Sequence, residues 1–164
     1  MHTSKHNILL AEDDPEEVFL MQRAFQKAGS QIPLRVVRDG QMAIDYLARS
    51  GDFSDTRDSP LSVLLLDLKM PRKNGFEVLK WVRQQPELRQ LIVIVFSSSG
   101  ELTDINQAYE LGANSYLVKP GDFEALINLV KTIEAYWLNL NQNSDLRIDD
   151  HPAALIPQHQ PAAV

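Results

Sequence analysis

Carboxylates, a hydroxyl and an ammonium group stand at the ends of apolar runs in this chain of 164 residues. Glu12 and Asp13 follow Ile8-Leu9-Leu10-Ala11, and Asp67 follows Val63-Leu64-Leu65-Leu66. Ser97 closes the run from Leu91 to Phe96, and Lys119 follows Ser115-Tyr116-Leu117-Val118. Three carboxylates brought together make a hard, oxygen-rich site suited to Mg²⁺, which binds through few protein ligands and keeps several waters. One carboxylate of such a set can act as nucleophile toward a phosphoryl group. A lysine and a hydroxyl at the same place can meet the phosphoryl oxygens, the first with a charge-assisted hydrogen bond. Phosphoryl transfer needs mainly positioning and charge neutralisation, and a metal with a lysine supplies both. Each feature alone has a plainer reading. An aspartate that ends a strand is often only a turn residue, and Asp14, Pro15, Glu16 and Glu17 suit a helix start. Glu12 and Asp13 are left over, and adjacent carboxylates repel unless a positive group compensates them.

The chemistry depends on whether one architecture gathers these residues. The run from Val63 to Leu66 reads as a strand buried on both faces, as in a parallel sheet with helices above and below. Pro71 cannot continue a central strand, so Asp67 falls at its carboxyl end. Ligands bind along that edge in open α/β sheets. Further strands are expected at Ile8–Ala11, Leu34–Val37, Leu91–Phe96 and Ser115–Val118. Between them, apolar residues at helical spacing place helices after Asp14, after Asp39-Gly40, after Asn74-Gly75 and from Glu101 to Leu111. Asp122 caps a last helix that runs to about Leu140. Five strands alternating with five helices predict a parallel sheet covered on both faces. In such a sheet Glu12, Asp13, Asp67, Ser97 and Lys119 share one edge.

Composition narrows the classes. Sixteen Lys and Arg against 22 Asp and Glu give a net charge of −6, which disfavours direct nucleic-acid binding. There is no cysteine, which excludes disulfides and cysteine-based metal or redox sites. The first residues lack the apolar core of a signal peptide, and no apolar run reaches the length a membrane span needs. A soluble cytoplasmic protein is expected. Residues 1–5 read as an N-terminal extension. The polar connection from Asp52 to Pro60 is long for its place. Residues 141–164, rich in Asn, Gln, Asp, His, Pro and Ala, read as a flexible tail whose His151 and His159 lack the spacing of a metal site.

The chain resembles the receiver domain of bacterial two-component response regulators. The matching pieces are Glu12-Asp13, Asp67 with Met70-Pro71, Ser97, and Lys119-Pro120, together with Gly112-Ala113-Asn114-Ser115-Tyr116 before the fifth strand. The separations agree too, 30 residues from Asp67 to Ser97 and 22 from Ser97 to Lys119. The match covers residues 6–140. The resemblance implies a flavodoxin-like, doubly wound sheet of order 2-1-3-4-5. It implies that Asp67 accepts a phosphoryl group from a histidine kinase. Asp13, Asp67 and the Lys69 backbone carbonyl would bind Mg²⁺, with Glu12 acting through a bound water. Ser97 and Lys119 would contact the phosphoryl group, Tyr116 would be an aromatic switch, and Lys119-Pro120 would be a cis peptide. Two positions depart from the common pattern: Glu12 stands where Asp is commoner, and Gly121 where a bulky residue often follows.

A single-domain regulator is expected, signalling through protein contacts and not as a turnover enzyme. It is similar to the small regulators paired with cyanobacterial phytochromes, in the long connection before Asp67 and in Tyr136-Trp137-Leu138. Passing the phosphate onward to a histidine phosphotransfer protein is an alternative. An aspartate-nucleophile phosphatase is disfavoured because Lys69 stands where a second Asp is usual. A flavodoxin-like cofactor binder lacks its phosphate loop after the first strand. In the last helix Phe123, Leu126, Ile127, Val130 and Trp137 form one stripe, while Leu129, Tyr136 and Leu140 face a second direction and Ile133 borders both. That second stripe, with the fourth helix and fifth strand, is the expected partner surface for a homodimer.

Overall fold

The computed structural model describes residues 6–55 and 61–142. The expected N-terminal extension, the end of the long connection before Asp67 and nearly all of the expected tail lie outside the described residues. Strands β1 (Ile8–Ala11), β2 (Leu34–Val37), β3 (Val63–Leu66), β4 (Ile92–Ser97) and β5 (Ser115–Val118) form one parallel sheet in the order β2-β1-β3-β4-β5. Helices α1 (Pro15–Lys27), α2 (Gly40–Leu47), α3 (Gly75–Gln84), α4 (Leu102–Glu110) and α5 (Phe123–Ile133) connect them. The three central strands are buried along their length except at Ile92, the first residue of β4, which is why their sequences are nearly continuous apolar runs with no alternation.

Alternate strand residues feed two layers of core. Ile8, Leu10, Val63, Leu65 and Ile94 pack with Val18, Met21 and Phe25 of α1 and with Leu126, Ile127 and Val130 of α5. Leu9, Ala11, Leu64, Leu66 and Val93 pack with α2 and α3 through Ala43, Leu47, Val78, Leu79 and Val82. Ala108 of α4 meets Leu68 and Val95 in a smaller cluster. Asp14, Asp39, Asn74 and Asp122 each cap the helix that follows, and Asn74 forms a reciprocal capping box with Glu77.

Arg83 ties the far ends of these elements together. Its guanidinium donates to the carbonyls of Leu88, Arg89, Leu91 and Gly112 and to the side-chain oxygen of Asn114. Asn114 also accepts from the Val93 amide. The turn into β5 is therefore held from α3 and β4 together.

Two expectations change at the carboxyl end. The last helix does continue to Leu140, but as a π-helix over Glu134–Leu140, closed by the Asn141 amide on the Tyr136 carbonyl at 2.7 Å. Ile133, expected to border both stripes, is buried in the core layer beside α1, which leaves it no part in an outer surface. Leu129 also leans on that layer, half-buried, whereas Tyr136 and Leu140 are exposed.

Candidate functional site

The strand register builds the site. Ala11 pairs with Leu66, so Glu12 and Asp67 stand side by side one residue beyond the paired strands. Ser97 pairs with Val118, and the Lys119 amide donates to the Ser97 carbonyl at 2.8 Å. Residues scattered over more than a hundred positions thus meet at the carboxyl edge. One carboxylate oxygen from each of Glu12, Asp13 and Asp67 lies within 4.8 Å of the others. Glu12, Asp67 and Ser97 are buried, while Asp13 is exposed.

Each buried charge has a partner. Lys119 Nζ donates to Glu12 Oε2 at 2.5 Å and stands 3.6 Å from Asp67 Oδ2. The other Glu12 oxygen accepts from the Asp14 amide at 3.1 Å. Asp67 Oδ1 accepts from the Leu68 amide at 2.8 Å, which orients the carboxylate and leaves Oδ2 toward Lys119. Burial pushes the Asp67 carboxyl up from the usual 3.8 to about 6, against the attraction of Lys119 and with help from the Glu12 and Asp13 charges. Burial alone would lower Lys119, but its hydrogen bond to Glu12 and the charges of Asp67, Glu12 and Glu17 outweigh it and raise the ammonium group above its usual value.

A cavity of about 520 Å³ opens beside these carboxylates, lined by Asp13, Lys69, Met70, Pro71, Phe76 and Asp104 among others. Lys69 is exposed on the loop between β3 and α3 and lines the same opening. Gly75, the first residue of α3, lies directly against the base of that loop. A Cβ there would fall 2.2 Å from the Asp67 carbonyl oxygen, so glycine is what lets α3 begin beneath the site.

Tyr116 is half-buried, and its hydroxyl donates to the Ser99 carbonyl at 2.8 Å. Its amide donates to the Tyr109 hydroxyl of α4 at 3.2 Å. The Ser99 amide in turn donates to Ser97 Oγ at 3.2 Å, and Ser99 Oγ donates to Asp104 at 2.5 Å. Ser97, the β4–α4 loop and Tyr116 are therefore linked by hydrogen bonds. Ser99, Tyr109 and Asp104 were not among the residues expected from sequence, and no pattern in the chain singles them out. The Lys119-Pro120 bond is trans, and no cis peptide occurs among the described residues, which corrects the expectation. A peptide bond before proline favours trans by about 0.5–1 kcal/mol, and the Lys119 amide keeps its strand hydrogen bond in that form.

The model of the response regulator receiver domain matches residues 8–131. The chain belongs to that family. Among its relatives is a probable methanogenesis regulatory protein, FilR2, of Methanothrix harundinacea, 38% identical over 83% of this chain and 86% of the relative. The response regulator Rcp1 of Synechocystis is 34% identical over 80% of this chain and 88% of its own length. The crystal structure of the phosphorylated cyanobacterial phytochrome response regulator RcpA superposes with a TM-score of 0.76 at 33% identity, covering 84% of this chain and 96% of that one. A Mn²⁺-bound structure of Rcp1 superposes with a TM-score of 0.74 at 32% identity over 84% and 97% of the two chains. The receiver fold and the likeness to phytochrome response regulators, both expected from sequence, are thus found. Among the described residues no helix is long and apolar enough to cross a membrane.

Proposed function

We propose that Asp67 accepts a phosphoryl group from a histidine kinase of the phytochrome class, and that the phosphorylated domain signals by contacting other proteins. The convergence of Glu12, Asp13 and Asp67 within 4.8 Å, with Lys119 beside them, carries this reading. In the transfer, an oxygen of the Asp67 carboxylate forms a bond to phosphorus while the phosphorus–nitrogen bond of the donor histidine breaks. The leaving imidazole keeps the electron pair and takes up a proton. Asp67 Oδ1 is held by the Leu68 amide, so Oδ2 is the nucleophilic oxygen. Ser97 and Lys119 lie at the same edge to receive the phosphoryl oxygens.

The donor set is three carboxylates, hard oxygen ligands that suit Mg²⁺. Asp13, Asp67 and the Lys69 carbonyl would hold the ion, with Glu12 reaching it through a water. When bound, the ion offsets the negative charge of the carboxylates and the incoming phosphoryl group. As a receiver, the chain is read as a phosphoacceptor switch and not as a turnover enzyme, working in the cytoplasm without binding nucleic acid. Incubation with acetyl phosphate and Mg²⁺ is expected to add one acid-labile phosphoryl group, and the Asp67→Asn variant is expected to gain none. Equal labelling of the variant would remove the assignment, and labelling indifferent to a chelator would remove the metal.

The partner surface of this reading is a homodimer contact made by α4, β5 and the last helix. Leu102, Val118, Tyr136 and Leu140 supply exposed apolar area there, Leu140 at 71% exposure. Burying one such side chain contributes roughly 1.5–3 kcal/mol, against an association cost of about 4–15 kcal/mol. Eight such partly exposed side chains in two protomers together offset a cost of that size, so association should be modest and open to control by the nearby Tyr116. Sedimentation of the wild type should show self-association that Tyr136→Glu and Leu140→Glu both weaken. Unchanged association in both variants would place the contact elsewhere.

A further inference from the structure

The loop that follows Asp67 is gripped at two points by residues that take no part in the site itself. At its base the Gly75 amide donates to the Leu68 carbonyl at 2.9 Å, closing the loop from Leu68 to Gly75. At its far side the first residue of α2 presses against it. A Cβ on Gly40 would fall 1.9 Å from the Lys73 carbonyl oxygen and 2.6 Å from the Lys73 Cβ. Only a residue without a side chain permits that approach, because the obstacle is backbone. Between the two grips Arg72 holds φ +66°, a left-handed conformation that residues other than glycine seldom adopt. Lys73 then turns back, its amide donating to the Pro71 carbonyl at 2.8 Å. The Arg72 side chain stands 3.6 Å from Asp39 but is largely exposed, so that ion pair contributes little. The grip is one of backbone shape.

We infer that Gly40 and the left-handed turn at Arg72 are positioning elements for the divalent cation, acting through the Lys69 carbonyl. This rests on the proposed metal site of Asp13, Asp67 and Lys69. Lys69 is the expected ligand farthest from its strand, three residues beyond the end of β3, so the sheet register does not fix its carbonyl. The contact of Gly40 with Lys73 fixes the loop from outside, and the turn at Arg72 sets the path of the chain between Lys69 and that contact. Substituting Gly40 displaces the Lys73 backbone, and the displacement passes to Lys69 over four residues whose ends are held.

Titration of the metal-free protein with Mg²⁺ by calorimetry, alongside thermal melting in chelator, tests this. Gly40→Ala is expected to weaken Mg²⁺ binding by about ten- to a hundredfold, the cost usual for losing an outer-shell partner of a metal ligand. Arg72→Pro, which imposes φ near −65°, should weaken binding in the same range with little change in melting temperature. Arg72→Gly, which takes the left-handed conformation freely, should keep the wild-type affinity although it removes the same side chain. If Gly40→Ala does not fold, the comparison of Pro with Gly at position 72 decides alone, since the site sits in an exposed turn. Equal affinities for the two Arg72 variants would overturn the inference, as would wild-type affinity in a folded Gly40→Ala protein. Wild-type protein that binds no Mg²⁺ would remove the metal site itself, an outcome distinct from wild-type binding with indifferent variants.

Discussion

Replacing Lys119 with methionine should cost the metal-free protein about 3–5 kcal/mol of stability at neutral pH, the penalty for removing one partner of a buried ion pair. The Lys119 side chain is 11% exposed, and those of Glu12 and Asp67 are 3% and 9% exposed. Methionine fills much of the same volume but leaves two buried carboxylates next to the exposed Asp13 with no compensating charge. Glu12 is the worse placed, because its Oε2 loses its hydrogen-bond donor outright. A second substitution, Glu12→Gln, removes one of the stranded charges and should return more than half of the lost stability. Added Mg²⁺ should also help the single variant, since it binds the ionised carboxylates of the folded state. Urea denaturation of the wild type, the single variant and the double variant in chelator measures all of this. A loss below about 1 kcal/mol, or no recovery in the double variant, would show that solvent already screens the cluster.

That ion pair marks where the sequence stops being informative. The strand ends were legible because Leu64, Leu65 and Leu66 or Ile92 to Phe96 form aliphatic runs that a parallel sheet buries on both faces. Once those runs are placed, Glu12, Asp67, Ser97 and Lys119 must share an edge. Two helix starts were legible for a similar local reason, since Asp14 and Asp122 each carry a capping oxygen just before an apolar stripe. What Lys119 touches was not legible. Glu12 is one methylene longer than the commoner Asp, and its reach to Lys119 depends on the spacing of β1 and β5 across two intervening strands. The grip of Gly40 on Lys73 is hidden for the same reason, because the start of α2 meets that loop only when α2 and α3 pack side by side. Ile133 shows the opposite error. Angular position on a helical wheel set it on the border of two stripes, but α1 lies close enough to cover it. Helical periodicity also could not foresee the π-helix after Ile133, because the wheel assumes the very pitch that changes there.

In chelator, Asp67→Asn should stabilise the protein by about 2–3 kcal/mol at pH 7 to 8 and give no such gain near pH 4. The sign follows from the direction of the shift. Folding raises the Asp67 carboxyl from the usual 3.8 to about 6, so the folded state holds its proton more tightly than the unfolded chain does. The stability linked to that proton is fully present below about pH 4 and is lost as pH rises through 6. Asparagine carries no such charge at any pH, while its side-chain oxygen can still accept from the Leu68 amide as Asp67 Oδ1 does at 2.8 Å. The attraction of Lys119 at 3.6 Å is already part of that shift, so the gain reflects only the burial that Lys119 leaves uncompensated. Divalent cation should reverse the ranking, because Mg²⁺ binds the ionised wild-type cluster and finds one carboxylate fewer in the variant. Urea denaturation at pH 4, 5, 6, 7 and 8, with chelator and then with Mg²⁺, separates these effects. A variant no more stable than wild type at pH 7 in chelator would mean that Lys119 already offsets the burial of Asp67.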